Sequence, residues 1–221
     1  MRVFVVGGSP AARQPSHLAP QAGDRVIAAD GGALHARAWG WPIHSLVGDL
    51  DSLPAEAAAD IQAADVPTLI ASQEKDATDL ELALRQALDR APQELILCGA
   101  LGGRTDHLLA NVFLLARPDL AAADLILADG PETVRRLQSR DAPASLWLTG
   151  APGDLVSLLP LGGDAQGIRT DGLYYPLRDE TLYLGSPRGA SNVMTQPRVH
   201  VSLRYGALLV IHVAVSVEPL V

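Results

Sequence analysis

Lys75 is the chain's one lysine, and it lies inside the acidic run Glu74-Lys75-Asp76-Ala77-Thr78-Asp79. Every other strong cation is an arginine. Where only charge matters an arginine serves as well, so a retained lysine marks a place that needs a compact ammonium rather than a planar fork. Phosphate neutralisation is such a need. Other acids follow apolar runs: Asp30 in Ala29-Asp30-Gly31-Gly32, and Asp49 and Asp51 in Gly48-Asp49-Leu50-Asp51-Ser52. A second cation stands in Gly102-Gly103-Arg104-Thr105-Asp106-His107. Carboxylates with one lysine, one arginine and glycine-rich turns suit the chemistry of a metal-bound polyphosphate.

Each of these groups also has a plainer reading. Asp49 and Asp51 are two apart, so in extended chain they point the same way and offer oxygens to a hard cation such as Mg²⁺. An Asp-x-Asp-Ser segment after glycine serves a β-turn equally well. Asp79 falls in the first turn of a helix, where the helix dipole favours a carboxylate. That leaves Lys75 and Asp76 in the same short loop unexplained. Gly99 to Arg104 forms a strand-to-helix turn whose amides are open to an anion, although it matches neither a dinucleotide fingerprint nor a Walker A loop. Gly7-Gly8-Ser9 is a weaker phosphate-loop candidate. His107 is a histidine at a helix start, a place that capping alone explains.

The elements that must position these residues follow from the pattern. Short β-like runs at 3–6, 25–29, 45–47, 68–70, 95–98 and 125–128 alternate with alanine-rich helical stretches at 31–39, 54–64, 79–91 and 106–116. This is the signature of an α/β layer with a mostly parallel sheet. Thr78 followed by Glu81 reads as a capping box, with Leu80, Leu84 and Leu88 on one helical face. From about 139 the pattern becomes that of strands, at 145–148, 154–159, 167–170, 181–184, 198–204 and 207–215, with Tyr205-Gly206 turning the chain between the last two. The expected architecture is an α/β domain over 1–138 and an all-β sandwich over 139–221. In an open α/β sheet ligands bind beyond the carboxyl ends of the strands. Asp30, Asp49/Asp51, Lys75–Asp79 and Arg104–His107 all follow strand ends, so four turns are expected to converge on one edge.

Composition narrows the function classes. A hydrophobic fraction of 48% with 19% charged residues describes a globular chain, and no apolar run reaches the ~18 residues of a membrane span. The N-terminal strand and glycine turn do not read as a signal peptide. The single cysteine, Cys98, excludes an internal disulfide, and the cytoplasm is the expected setting. Net charge is −8 with scattered arginines and 4% aromatics, which argues against a nucleic-acid partner.

Together these segments resemble the thiamine pyrophosphokinase (thiamine diphosphokinase) family, in order and along nearly the whole chain. The β region adds Tyr174-Tyr175-Pro176-Leu177, Leu184-Gly185 and Gly189-Ala190-Ser191-Asn192. The resemblance implies transfer of the diphosphoryl group of ATP to thiamine, with Mg²⁺, in a homodimer whose active sites are shared between subunits. It implies that Asp49, Asp51 and Asp79 hold the metal and that Lys75 and Arg104 face the ATP phosphates. Ser191 and Asn192 would bind thiamine from the partner's β domain, while Asp30, Asp76, Thr78, Asp106 and His107 line the cleft. Relatives with tryptophan near Tyr174-Tyr175 leave this chain to stack the pyrimidine differently. Asp79 and Asp106 both remain open as the acceptor of the hydroxyl proton. Two alternatives stand beside this reading: a related pyrophosphokinase for another alcohol such as a pterin, and a non-catalytic thiamine- or nucleotide-binding protein.

Overall fold

The computed structural model describes residues 1–48, 53–70, 78–120 and 123–215. Two compact units divide the chain, Met1–Gly130 and Pro131–Val221.

In the first unit, β1 (Arg2–Val6), β2 (Arg25–Ala29), β3 (Ser45–Val47), β4 (Thr68–Leu69), β5 (Glu94–Cys98) and β6 (Asp124–Asp129) form a sheet in the order β6-β5-β1-β2-β3-β4. All of its pairings are parallel. Val3 to Val6 and Leu95 to Cys98 are fully buried, the continuous apolar runs that a parallel sheet covered on both faces requires. Helices α1 (Gly32–Ala38) and α2 (Ala55–Ala63) cover one face. There Ala36 packs with Phe4, Val6, Val26 and Ile96, and Ile61 with Ala28 and Leu46. On the other face lies α3 (Asp79–Leu88), where Ser45 Oγ donates to Gln86 Oε1 at 3.1 Å. The last helix, α4 (Thr105–Phe113), ends in a 3₁₀ turn over Leu114–Ala116 rather than continuing to 116.

The second unit contains two antiparallel sheets. One has the order β12 (Asn192–Val193), β9 (Leu155–Pro160), β14 (Gly206–Val213) and β7 (Glu132–Ser139). The other has β11 (Arg178–Leu182), β10 (Ala165–Asp171), β13 (Arg198–Leu203) and β8 (Ala144–Thr149). Their inner faces share one core in which Leu137, Val156, Leu158, Leu208 and Val210 meet Leu148, Ile168, Leu182, Val199 and Val201. The expected sandwich is present.

Two expectations are corrected. The boundary expected at 138/139 falls instead between Gly130 and Pro131. Glu132–Ser139 is a strand registered residue for residue against Gly206–Val213, although Arg135 and Arg136 interrupt the apolar alternation that would have announced it. Nor does Tyr205-Gly206 close a hairpin, because β13 and β14 belong to different sheets and the turn carries the chain from one to the other. Among the described residues, no helix is long and apolar enough to cross a membrane. Cys98 is buried at the end of β5, and burial pushes its thiol pKa up.

Candidate active site

At the carboxyl end of the parallel sheet, the loops after β1 and β5 run side by side. Gly7 N–H donates to Cys98 O at 2.8 Å, Ser9 N–H to Gly99 O at 3.0 Å, and Ser9 Oγ to Leu101 O at 3.0 Å. His35 of α1 reaches the same loop, with Nε2 2.9 Å from Ser9 O. The loop's far side is clamped by Arg13, whose Nη2 and Nε donate to the buried Asp129 carboxylate at 2.9 and 3.1 Å while its backbone N–H donates at 2.6 Å.

Beside these loops, Asp30 ends β2 in the left-handed region (φ 47°), a conformation that Asp tolerates better than most residues. Its N–H donates to Val47 O at 2.8 Å, and its carbonyl accepts the Ala33 N–H of α1. The helix can start there because residue 32 is glycine: a Cβ at that position would stand 1.9 Å from Val6 O. Removing the side chain lets α1 begin directly over the end of β1 and carries Asp30 to the sheet edge.

Two more helix starts complete the wall. Thr78 caps α3 by accepting the Glu81 N–H at 3.2 Å. Only this half of the expected capping box forms, because the Glu81 carboxylate is drawn to Arg117 instead. Asp79 occupies the first turn. At α4, Arg104 is the N-cap residue, and its fork clasps Asp106 with Nη2–Oδ2 at 2.6 Å and Nε–Oδ1 at 3.1 Å. Asp106 also accepts the His107 N–H at 2.9 Å. The bond to Arg104 holds the Asp106 carboxyl below the usual carboxylate range and raises the arginine in turn. Both side chains are largely exposed, so an incoming phosphate can take the guanidinium over from Asp106.

These pieces enclose one cleft of about 730 Å³ lined by Gly7, Gly8, Ser9, Asp30, Thr78, Asp79, Arg104, Asp106 and His107, with Ala110, Asn111 and Leu114 of the α4 region. Six residues expected at the site therefore meet here: Asp30, Thr78, Asp79, Arg104, Asp106 and His107. Asp49, Asp51, Lys75 and Asp76 lie outside the described residues. Gly48, immediately before Asp49, lies against the Asp30 backbone. Asn111 had not been expected at the site; its Nδ2 donates to Ala100 O at 2.8 Å and holds the glycine turn under Arg104. Its signal was present, since His107, Ala110, Asn111 and Leu114 recur at helical spacing. The Arg13–Asp129 clamp, spanning 116 positions, left no local signal.

The cleft suits a polyanion. Glycine-loop amides, two helix N-termini and Arg104 favour phosphate oxygens. Asp30 and Asp79 contribute only hard carboxylate oxygens, the donor type that Mg²⁺ takes. Among the described residues, no group of three or more His, Cys, Asp or Glu side chains is gathered for a metal.

Ser191 and Asn192 lie in the second unit. Ser191 is in the left-handed region (φ 57°), and its N–H donates to Ser157 Oγ at 2.9 Å. The Asn192 amide spans the backbone of Tyr175, accepting its N–H at 3.0 Å and donating to its carbonyl at 2.7 Å. Asn192 thereby pins the segment that displays Tyr174 and Tyr175, two exposed rings packed edge to face at 4.8 Å.

Comparison with known proteins agrees with this geometry. Residues 18–127 match the model of the thiamin pyrophosphokinase catalytic domain, and residues 148–208 match that of the thiamin pyrophosphokinase vitamin B1 binding domain. The chain is 29% identical over 164 residues to thiamine pyrophosphokinase of Bacillus subtilis (strain 168), covering 74% of this chain and 75% of that protein. The crystal structure of thiamine pyrophosphokinase from Bacillus subtilis superposes with a TM-score of 0.86 at 25% identity, over 97% of this chain and 99% of that one. A thiamin pyrophosphokinase family protein from Enterococcus faecalis gives 0.81 at 29% identity, over 98% and 100%. Matched along both of its units, the chain belongs to the thiamin pyrophosphokinase family.

Proposed function

We propose that this protein is a thiamine diphosphokinase, which transfers the diphosphoryl group of ATP to the hydroxyl of thiamine and yields thiamine diphosphate and AMP. The observation that carries the reading is the phosphate-receptive cleft at the carboxyl edge of the parallel sheet, in a chain matched by both domain models of the family.

In the reaction the thiamine oxygen attacks the β-phosphorus of ATP in line, the bond from Pβ to the oxygen bridging Pα breaks, and AMP leaves with that oxygen. Such transfers depend on positioning and charge neutralisation more than on covalent catalysis. Arg104 and Lys75 neutralise the phosphates, and the glycine loops and helix starts orient them. Asp49, Asp51 and Asp79 would hold Mg²⁺, which supplies further charge neutralisation on the phosphate oxygens when bound. Asp30, Thr78 and His107 line the nucleotide cleft, and the family resemblance assigns Asp76 to substrate binding with them. Of the two aspartates open as acceptor of the hydroxyl proton, Asp106 has its basicity lowered while Arg104 holds it and regains it once the arginine turns to phosphate.

Thiamine recognition falls to the β-sandwich unit. Ser191 and Asn192 serve it from the partner subunit of a homodimer, with the Tyr174–Tyr175 pair, fixed by Asn192, as the aromatic surface for the pyrimidine. The excess of acids in the first unit favours the cationic thiazolium, and the cytoplasm is the setting.

The reading is tested by incubating the purified protein with ATP, Mg²⁺ and thiamine and separating the products. Thiamine diphosphate and AMP in equal amounts are expected. ADP with thiamine monophosphate, or AMP without thiamine diphosphate, would overturn it.

A further inference from the structure

The β-sandwich unit carries a second cleft, of about 530 Å³, which the diphosphoryl-transfer chemistry leaves unused. Arg169 of β10 and Arg178 of β11 line it, and the two are register partners across an antiparallel pair. Like charges placed directly opposite on neighbouring strands repel each other, and a fold keeps such a pair at a cost unless something neutralises it.

The neutralisation available within the chain is incomplete. Asp179 is the carboxylate beside Arg169, at 3.5 Å, but it also accepts from Arg204 at a closer 2.6 Å. The Arg178 side chain makes no hydrogen bond or ion pair among the described residues. Arg169 and Arg204 thus share one carboxylate, and Arg169 and Arg178 line the same cleft. Asp171, two positions along β10 from Arg169, lies at the same cleft and pairs with neither arginine among the described residues. The opposite wall bears Thr195 and Gln196. Thr195 is fixed by its own bond to Gly172 O at 3.0 Å, whereas the Gln196 amide remains available as a donor.

We infer that this cleft binds a small phosphorylated molecule whose remainder carries a positive charge. Its phosphate sits between the Arg169 and Arg178 forks, with the Gln196 amide as a further donor, and its cationic end meets Asp171. Guanidinium forks match phosphate oxygens better than point charges do, and the volume lies within the range of small-molecule sites. The same cleft is lined by Leu173 and Pro176, the residues flanking Tyr174 and Tyr175, so occupancy also steadies the segment that displays the two rings.

The test is an NMR titration of the ¹⁵N-labelled full chain with phosphoethanolamine, which carries both a phosphate and an ammonium, and in parallel with inorganic phosphate. Saturable shifts at the amides of Thr170, Asp171, Gly172, Thr195 and Gln196 are expected, with phosphoethanolamine binding the tighter. Arg178→Gln should weaken both ligands at least tenfold, and Asp171→Asn should remove the preference for phosphoethanolamine. Both side chains are exposed, so unchanged amide spectra elsewhere will show that the variants fold. Shifts confined to the residues lining the first unit's cleft, or titrations indifferent to Arg178→Gln, would overturn the proposal. The readout is binding rather than turnover, so its failure would leave the diphosphokinase reading untouched.

Discussion

Gly31 and Gly32 are adjacent in sequence, yet adding one methyl group to each should have opposite consequences. At Gly32 the new Cβ would lie 1.9 Å from Val6 O and 2.6 Å from the Val6 carbonyl carbon. An ordinary carbon–oxygen contact needs about 3.3 Å, so α1 would have to withdraw from β1 by roughly 1.4 Å. The opposing atoms are backbone in a fully buried strand and cannot swing aside. Overpacking costs ~1–3 kcal/mol where side chains can adjust, so Gly32→Ala belongs at about 3 kcal/mol or more. The withdrawal would also displace Asp30, whose carbonyl starts α1, and Gly8, which packs on Gly31 and Gly32. At Gly31, where φ is −54°, the nearest atom to an added Cβ is Gly8 Cα at 3.7 Å, an ordinary contact. Gly31→Ala should stay within about 0.5 kcal/mol of the parent. Urea unfolding followed by circular dichroism measures both variants, and the KM for ATP should rise in Gly32→Ala alone. Equal unfolding midpoints for Gly32→Ala and the parent, or a larger loss in Gly31→Ala, would refute the close-packed helix start.

Other expectations concern charge and recognition. Burial alone would raise the Asp154 pKa, but bonds from the Ala151 and Val215 N–H groups and from His212 outweigh it and hold the carboxyl below its usual value. A carboxyl lowered on folding stabilises above the unfolded pKa, near 4, and loses that contribution as pH falls through the folded value. Asp154→Asn should therefore cost about 1–3 kcal/mol at pH 7 and much less at pH 3, as read by urea unfolding at both. Asp49→Asn should abolish Mg²⁺-dependent turnover while the thermal midpoint is kept; a near-parental rate would remove Asp49 from the metal site. Asn192→Ala frees Tyr175 and should raise the KM for thiamine at least tenfold with the KM for ATP unchanged, and the reverse split would contradict its assignment.

Much of this protein was legible from local chemistry. The parallel strands were readable because they are short apolar runs buried on both faces, and their order along the chain placed Asp30, Asp79 and Arg104 at strand ends before any geometry was known. The start of α3 was readable from Thr78, whose cap needs only the next turn of backbone. What escaped depends on distant partners. Glu81 reads as the second half of a capping box, but Arg117, 36 positions away, takes its carboxylate. The strand at 132–139 hides behind Arg135 and Arg136, and its pairing with β14 is a fact of topology rather than of pattern. The Asn192 amide also bonds the Tyr175 backbone at both of its ends, a contact across 17 positions that no local pattern announces. The Arg13–Asp129 clamp joins two segments that no periodicity connects.

The central claim is diphosphoryl transfer, and isotope tracing tests it most directly. ATP labelled separately at the α-, β- and γ-phosphorus would be turned over by the purified protein with thiamine and Mg²⁺. The account predicts that β and γ label appear together in thiamine diphosphate while α label stays in AMP. Movement of γ label alone, or release of label as free phosphate or diphosphate with thiamine unmodified, would contradict it.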